Sequence, residues 1–165
     1  MPTSRTTLAL MLLAASVAAQ LPPSAGARQA TPNALIGSWQ FEPEGSSFAG
    51  GVPYRSGTAT FAMTGQCMQV VVDIVEVTGL KLHFEYCDPQ NGTYVAVTGN
   101  PFYDSESTTW IDPLTARRSE RRAQSVTGTT EFRVAKDGQS YVTTASRTRP
   151  DGQLYTSVIR WKRLR

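Results

Sequence analysis

The 165-residue chain carries a single histidine and two cysteines, and that scarcity limits its chemistry. One imidazole, His83, cannot build a multi-histidine metal site, and Cys67 and Cys87 lack the spacing of zinc-ligand pairs. There is no Gly-x-Ser-x-Gly elbow and no Ser-x-x-Lys. Gly50-Gly51 is not followed by a helical pattern, so no phosphate-cradling loop can be read there. A nucleophile with its base, a pair of poised carboxylates and a metal cluster are all absent as motifs. The expectation is therefore a protein that is not an enzyme, with no cofactor and no metal. Helical periodicity is also missing after the first thirty or so residues, which removes α and α/β folds from consideration.

The first residues have the layout of a targeting segment. Arg5 supplies positive charge, Leu8 to Ala19 is apolar apart from Ser16, and Val17-Ala18-Ala19 or Ala25-Gly26-Ala27 offers small residues for cleavage. That reads as a secretory signal peptide and cleavage region over 1–27. The apolar run falls well short of the roughly twenty residues a spanning helix needs, so no stable membrane anchor is expected after cleavage. Residues 28–34 read as a disordered linker and 35–165 as a single β-barrel domain, long enough to bury a core. An exported protein lives outside the cytoplasm, in the periplasm or secreted. There an even cysteine pair is usually a disulfide, which favours a Cys67–Cys87 bond over two unrelated buried thiols.

A period of two runs through the rest of the chain. Met68, Val70, Val72 and Ile74 alternate with polar Gln69 and Asp73, and Leu80, Leu82, Phe84 and Tyr86 alternate with Lys81, His83 and Glu85. Each is a half-buried strand, with Thr78-Gly79 as the turn between them. Asn91-Gly92, Asp112-Pro113, Asp137-Gly138 and Asp151-Gly152 punctuate further runs rich in Thr, Val, Tyr, Phe and Trp. About ten strands are predicted, starting near Leu35, Arg55, Gln66, Leu80, Tyr94, Ser105, Thr115, Val126, Gln139 and Gln153. Short turns make sequential neighbours antiparallel, so the order is an up-and-down meander. Closing it into a barrel removes its exposed edges. If residues 77–79 form the loop, Ile74 faces Leu82, Val72 faces Phe84 and Val70 faces Tyr86. Cys67 and Cys87 then share the opposite face, offset diagonally by two residues.

Gly37-Ser38-Trp39 at the start of the first strand is similar to the glycine-x-tryptophan motif of lipocalins. The resemblance implies that Trp39 packs across the barrel floor against a basic residue of the last strand, Arg160 or Lys162. The wider layout resembles a group of small exported bacterial proteins with lipocalin-like β-barrels and no established activity. The matching stretches are Ser47-Phe48, His83-Phe84-Glu85-Tyr86, Asn91-Gly92 with Tyr94, and Val97-Thr98-Gly99-Asn100-Pro101 with Asp104. Lys136-Asp137-Gly138 and Asp151-Gly152-Gln153 complete the set. The resemblance implies a fold and a compartment, and it carries over no catalytic or ligand residues. The paired cysteines and the run of four arginines depart from the group's pattern.

The net charge is +3, unevenly spread. Acids dominate between Glu42 and Asp112, and arginines dominate from Arg117 onward. This is either one solvated face of a sheet or the mark of an anionic partner or surface. In Arg117-Arg118-Ser119-Glu120-Arg121-Arg122, alternation puts Arg117 and Arg121 on one side and Arg118, Glu120 and Arg122 on the other. One set must turn toward the interior, where a guanidinium needs an anionic partner. That partner is a ligand head group, or else Glu106 or Glu131 on a neighbouring strand. Thr98 to Asp104 reads as a mouth loop presenting Phe102 and Tyr103, or as a tight crossing in which they cap the core. Thr127, Thr129, Thr130, Thr143, Thr144, Ser146, Thr156 and Ser157 make part of the inner wall polar, which hints at a ligand-holding cavity.

The leading expectation is a barrel binding or carrying a small hydrophobic or amphipathic molecule. The candidate ligand-binding residues are Trp39, Phe102, Tyr103, Arg117 and Arg121. The alternative is a non-enzymatic structural or interaction protein of the cell envelope, with a filled barrel and an envelope protein as partner. No nucleic acid is expected outside the cell.

Overall fold

The structure, a computed structural model, describes residues 33–149 and 151–165. The signal peptide read at 1–27, and all of the 28–34 linker except Asn33 and Ala34, lie outside the described residues.

Ten strands follow one another without a helix among the described residues: β1 (Gly37–Phe48), β2 (Tyr54–Thr64), β3 (Cys67–Glu76), β4 (Lys81–Asp88), β5 (Val95–Ala96), β6 (Ser105–Asp112), β7 (Thr115–Arg122), β8 (Ser125–Val134), β9 (Ser140–Thr148) and β10 (Leu154–Arg163). Each begins within two residues of the position predicted from the alternation and turn signals. All pairings are antiparallel, in the order β4-β3-β2-β1-β10-β9-β8-β7-β6-β5. The meander therefore closes through β1 on β10, where Trp39 lies opposite Arg163 and Phe41 opposite Trp161.

The two edges left over, β4 and β5, meet at a single bridge between Glu85 and Thr98. The barrel is thus nearly closed, with one thin seam. Gly99 makes that approach possible. It has φ of 82°, and a Cβ at this position would collide with the carbonyl oxygen of His83.

The β3–β4 hairpin adopts the predicted register, with Ile74 opposite Leu82, Val72 opposite Phe84 and Val70 opposite Tyr86. Gln69 stands opposite Cys87, which leaves Cys67 the predicted two residues off. The cysteines are joined in a disulfide with a Cα separation of 5.5 Å. A disulfide is compatible with an extracytoplasmic location. Leu80 belongs to the turn rather than the strand and is exposed, because its carbonyl accepts from Glu76 N to close the hairpin.

The barrel interior is aromatic toward one end. Tyr141 is the hub, stacked on Trp161 at 5.8 Å and edge-on to Trp39 at 4.8 Å and Phe61 at 6.0 Å. The turn Asn33–Ile36 crosses this end as a floor, placing buried Leu35 so that its carbonyl accepts from Trp39 Nε1 at 2.8 Å. The basic residue over Trp39 is Arg163, with its guanidinium 4.0 Å from the ring. It is neither Arg160 nor Lys162, the two candidates offered by the sequence. Ile159 and Trp161 point inward, so the odd positions of β10 face the core and Arg163 follows them. Arg163 also donates to the carbonyls of Ala34, Ile36 and Gly138, tying the floor turn to the last strand. The opposite end is a mouth ringed by the hairpin loops after the odd-numbered strands.

Candidate functional site: a buried ion cluster beside an aromatic cavity

The burial pattern of β7 alternates, with Ala116, Arg118 and Glu120 buried. Inside, Glu120 accepts from Arg118 Nε at 3.2 Å and Nη2 at 3.0 Å. It also accepts from Arg147 Nε at 2.7 Å and Nη2 at 3.0 Å, and from Thr130 Oγ1 at 2.6 Å. Arg118 Nη1 donates to Tyr86 Oη at 3.0 Å. The guanidinium of Arg118 lies 5.0 Å from the ring centres of both Tyr103 and Phe132, and that of Arg147 lies 5.2 Å from Phe102. Two cations thus share one carboxylate, held in place by hydrogen bonds and aromatic faces, as buried charges must be. Burial alone would raise the Glu120 pKa. The pull of Arg118 and Arg147 outweighs it and holds the carboxyl below its ordinary value.

A second carboxyl sits behind this pair. Glu106 lies directly across the strand pair from Glu120 and has no exposed surface. Its Oε2 accepts from Thr108 Oγ1 at 2.9 Å, and its Oε1 has no partner among the described residues. Burial pushes Glu106 up to about 7, against the opposing pull of Arg118. Glu106 does not pair with the inward arginine as anticipated, because Arg118 is already taken by Glu120 two residues along its own strand.

Beside the cluster is a cavity of about 70 Å³, walled by residues from around the barrel, among them Phe61, Phe84, Tyr141, Trp161 and Ile159. It exceeds the roughly 10–15 Å³ that one water requires but is far below the roughly 300 Å³ where pockets for drug-sized ligands begin. Arg118, Arg147, Asn100, Phe102 and Tyr103 also line it. Asn100 Oδ1 accepts from the backbone of Phe102 at 2.8 Å and of Tyr103 at 3.3 Å. This turn, fixed by Asn-Pro, carries both aromatics to the cavity. Two lining residues hold buried polar atoms without a partner among the described residues, Tyr103 Oη and Trp161 Nε1.

The five candidate binding residues are dispersed. Phe102 is half-buried and Tyr103 fully buried on the cavity wall, which is the burial of the tight crossing that caps the core and not of an exposed mouth loop. Trp39 is in the floor, bound to Leu35 and Arg163, and does not line the cavity. Arg117 and Arg121 are on the outer face. Arg117 is exposed and pairs with Glu131 at 3.3 Å, and Arg121 lies 3.4 Å over the Tyr94 ring. The physical reason is parity, since odd positions of β7 point away from the barrel axis.

Sequence reasoning did not single out Arg118, Glu120, Glu106, Arg147 or Tyr86 as a site. The available signal was Glu120 on the same face as Arg118. A carboxylate two residues from an arginine lets that pair turn inward together, whereas Arg117 has no such companion on its own strand. Among the polar residues thought to soften the inner wall, Thr130, Thr143 and Ser157 are buried, while Thr129, Thr144 and Ser146 line a shallow outer depression with Arg117 and Arg133. His83 is exposed and bonded to Asp73 at 2.7 Å, on the outward face as expected. That bond raises the pKa of His83 against the small opposing effect of burial. Among the described residues, no three His, Cys, Asp or Glu side chains converge to hold a metal ion. No protein-family model matches the chain, and no curated protein is similar to it.

Proposed function

We propose that this chain is an exported, non-enzymatic binding module that holds a small, partly apolar molecule in the barrel cavity. The observation that carries the reading is the cavity itself, with aromatic walls from Phe61, Phe84, Tyr141 and Trp161 and with Asn100, Arg118 and Arg147 among the residues that line it. The disulfide and the signal-like first segment support action outside the cytoplasm. The cavity limits the ligand to a small one unless Phe102 and the mouth loop move.

Native mass spectrometry of the mature protein, before and after mild organic extraction, tests this. A reproducible extra mass that extraction removes is the expected result, and a clean apo mass that no added small molecule changes counts against it.

A second reading has its own support. The Arg118–Glu120–Arg147 cluster and the Tyr141 aromatic hub both lie inside the barrel, as in a filled barrel that works through its outer surface in the cell envelope. In that case, charge reversal on the outer arginines, Arg117 and Arg133, abolishes capture of an envelope protein while the fold stands.

A further inference from the structure

We infer that the seam between β4 and β5 is a gate held shut by the proton on Glu106, so that the side of the barrel opens when that carboxyl ionises. The place of Glu106 in the sheet makes the link. Its strand partner on one side is Val95 in the two-residue β5, and on the other it is Glu120 in β7. Its side chain has no exposed surface, and Oε1 has no hydrogen-bond partner among the described residues. A neutral acid is held there at modest cost, whereas an anion with a bare oxygen is far more costly. Water relieves that cost by parting the nearest weak wall. Only β5 and the crossing at 97–104 lie between Glu106 and the seam, and one bridge, Glu85 to Thr98, holds them to β4.

The charges around Glu106 favour parting once it ionises. From β7, Arg118 attracts the anion, but that guanidinium is already bonded to Glu120, which repels it. From the end of β4, across the seam, buried Asp88 repels it as well. Tyr86 of β4 and Tyr103 of the crossing also sense it, and burial pushes both phenols up. β5 contributes no titratable side chain, only Val95 and Ala96. Burial holds the proton on Glu106 up to about 7. On the outer face of β4, His83 has its own raised pKa, and its carbonyl packs against Gly99, so the test must separate the two. Both sides of the seam are cavity wall: Phe84 and Tyr86 from β4, and Asn100, Phe102 and Tyr103 from the crossing. Opening the seam therefore uncovers the cavity, whatever it holds.

The test is hydrogen exchange of the mature protein, followed residue by residue at pH 5.5 and pH 8, with each rate divided by its intrinsic value. If opening returns Glu106 to its ordinary 4.5, protection of the amides at 95–99 falls about 25-fold between these pH values. It should stay below that of β9 and β10 at both, which marks local opening. Glu106→Gln, first shown to unfold cooperatively, should lose this pH dependence, and His83→Gln should keep it. Level protection at 95–99 in the parent protein overturns the gate, and so does opening there that is no easier than global unfolding. A fall that survives in Glu106→Gln, or disappears in His83→Gln, overturns it too and moves the switch to another group. Should Glu106→Gln fail to fold, the parent protein and His83→Gln decide between the same outcomes.

Discussion

Glu120 is surrounded by two arginines and a threonine in a space without water-exposed surface. Its charge is held there because every oxygen is engaged. Glu106, its cross-strand neighbour, has one oxygen engaged and one orphaned, and the difference shows in their opposite pKa shifts. For Glu106 the folded value is about 7 against an ordinary 4.5. Between those values the folded protein keeps a proton that the unfolded chain has lost, so stability falls as pH rises across that window. From this group alone the fall amounts to about 3 kcal/mol, and it levels off above the folded value. Glu120 acts in the opposite sense, and only below the ordinary carboxylate range, so it does not mask the effect. Urea unfolding at pH 5 and pH 8 should show the parent protein weaker at pH 8 and the Glu106→Gln variant with a clearly smaller fall, the remainder coming from exposed His83, whose raised pKa acts in the same sense. An unchanged pH dependence in the variant would show that Glu106 does not ionise in this window.

At the scale of elements, the β3–β4 hairpin is specified twice. Three apolar cross-strand pairs, Val70–Tyr86, Val72–Phe84 and Ile74–Leu82, fix the register, because a slip of one residue would send all of them to the outer face. The Cys67–Cys87 bond then clamps the open end of the hairpin from the other face. A bridge spanning 20 residues restricts the unfolded chain enough to stabilise by about 3 kcal/mol. A Cys67→Ser/Cys87→Ser double variant should keep the β-sheet circular dichroism and lose Tm. A Tm equal to that of the parent would mean the apolar register alone holds β4, which otherwise has only one bridge on its far side.

At the scale of the whole molecule, stability is uneven around the ring. The β1–β10 contact carries six paired positions, interrupted by one register shift, and β10–β9 carries nine without interruption. The seam between β4 and the β5 segment has one bridge, and β5 itself is two residues long. Local opening should therefore start at the seam, where few backbone hydrogen bonds must break. Hydrogen exchange should show the amides of residues 95–99 protected least among the strand segments and those of β9 and β10 protected most. Uniform protection around the barrel would contradict this account. The seam flanks Tyr86, so a route to the interior that does not require the mouth to widen would run through the same weak place.

The sequence by itself determined the strands. Period-two alternation and turn residues are local signals, so they located all ten strands, their antiparallel order, the β3–β4 register and the shared face of the cysteines. It also held the parity of β10, in which Trp161 and Arg163 share a side, although Arg160 and Lys162 were the residues drawn from it. Only the tertiary structure decided which face of β7 turns inward. Both parities of that strand carry arginine, so hydrophobicity is silent there, and the choice depends on Arg147 and Thr130 from β9 and β8 meeting Glu120. The same holds for the orphaned Glu106, the seam at Gly99 and the volume of the cavity. Each depends on how distant strands approach one another across the barrel, and no local pattern encodes that distance.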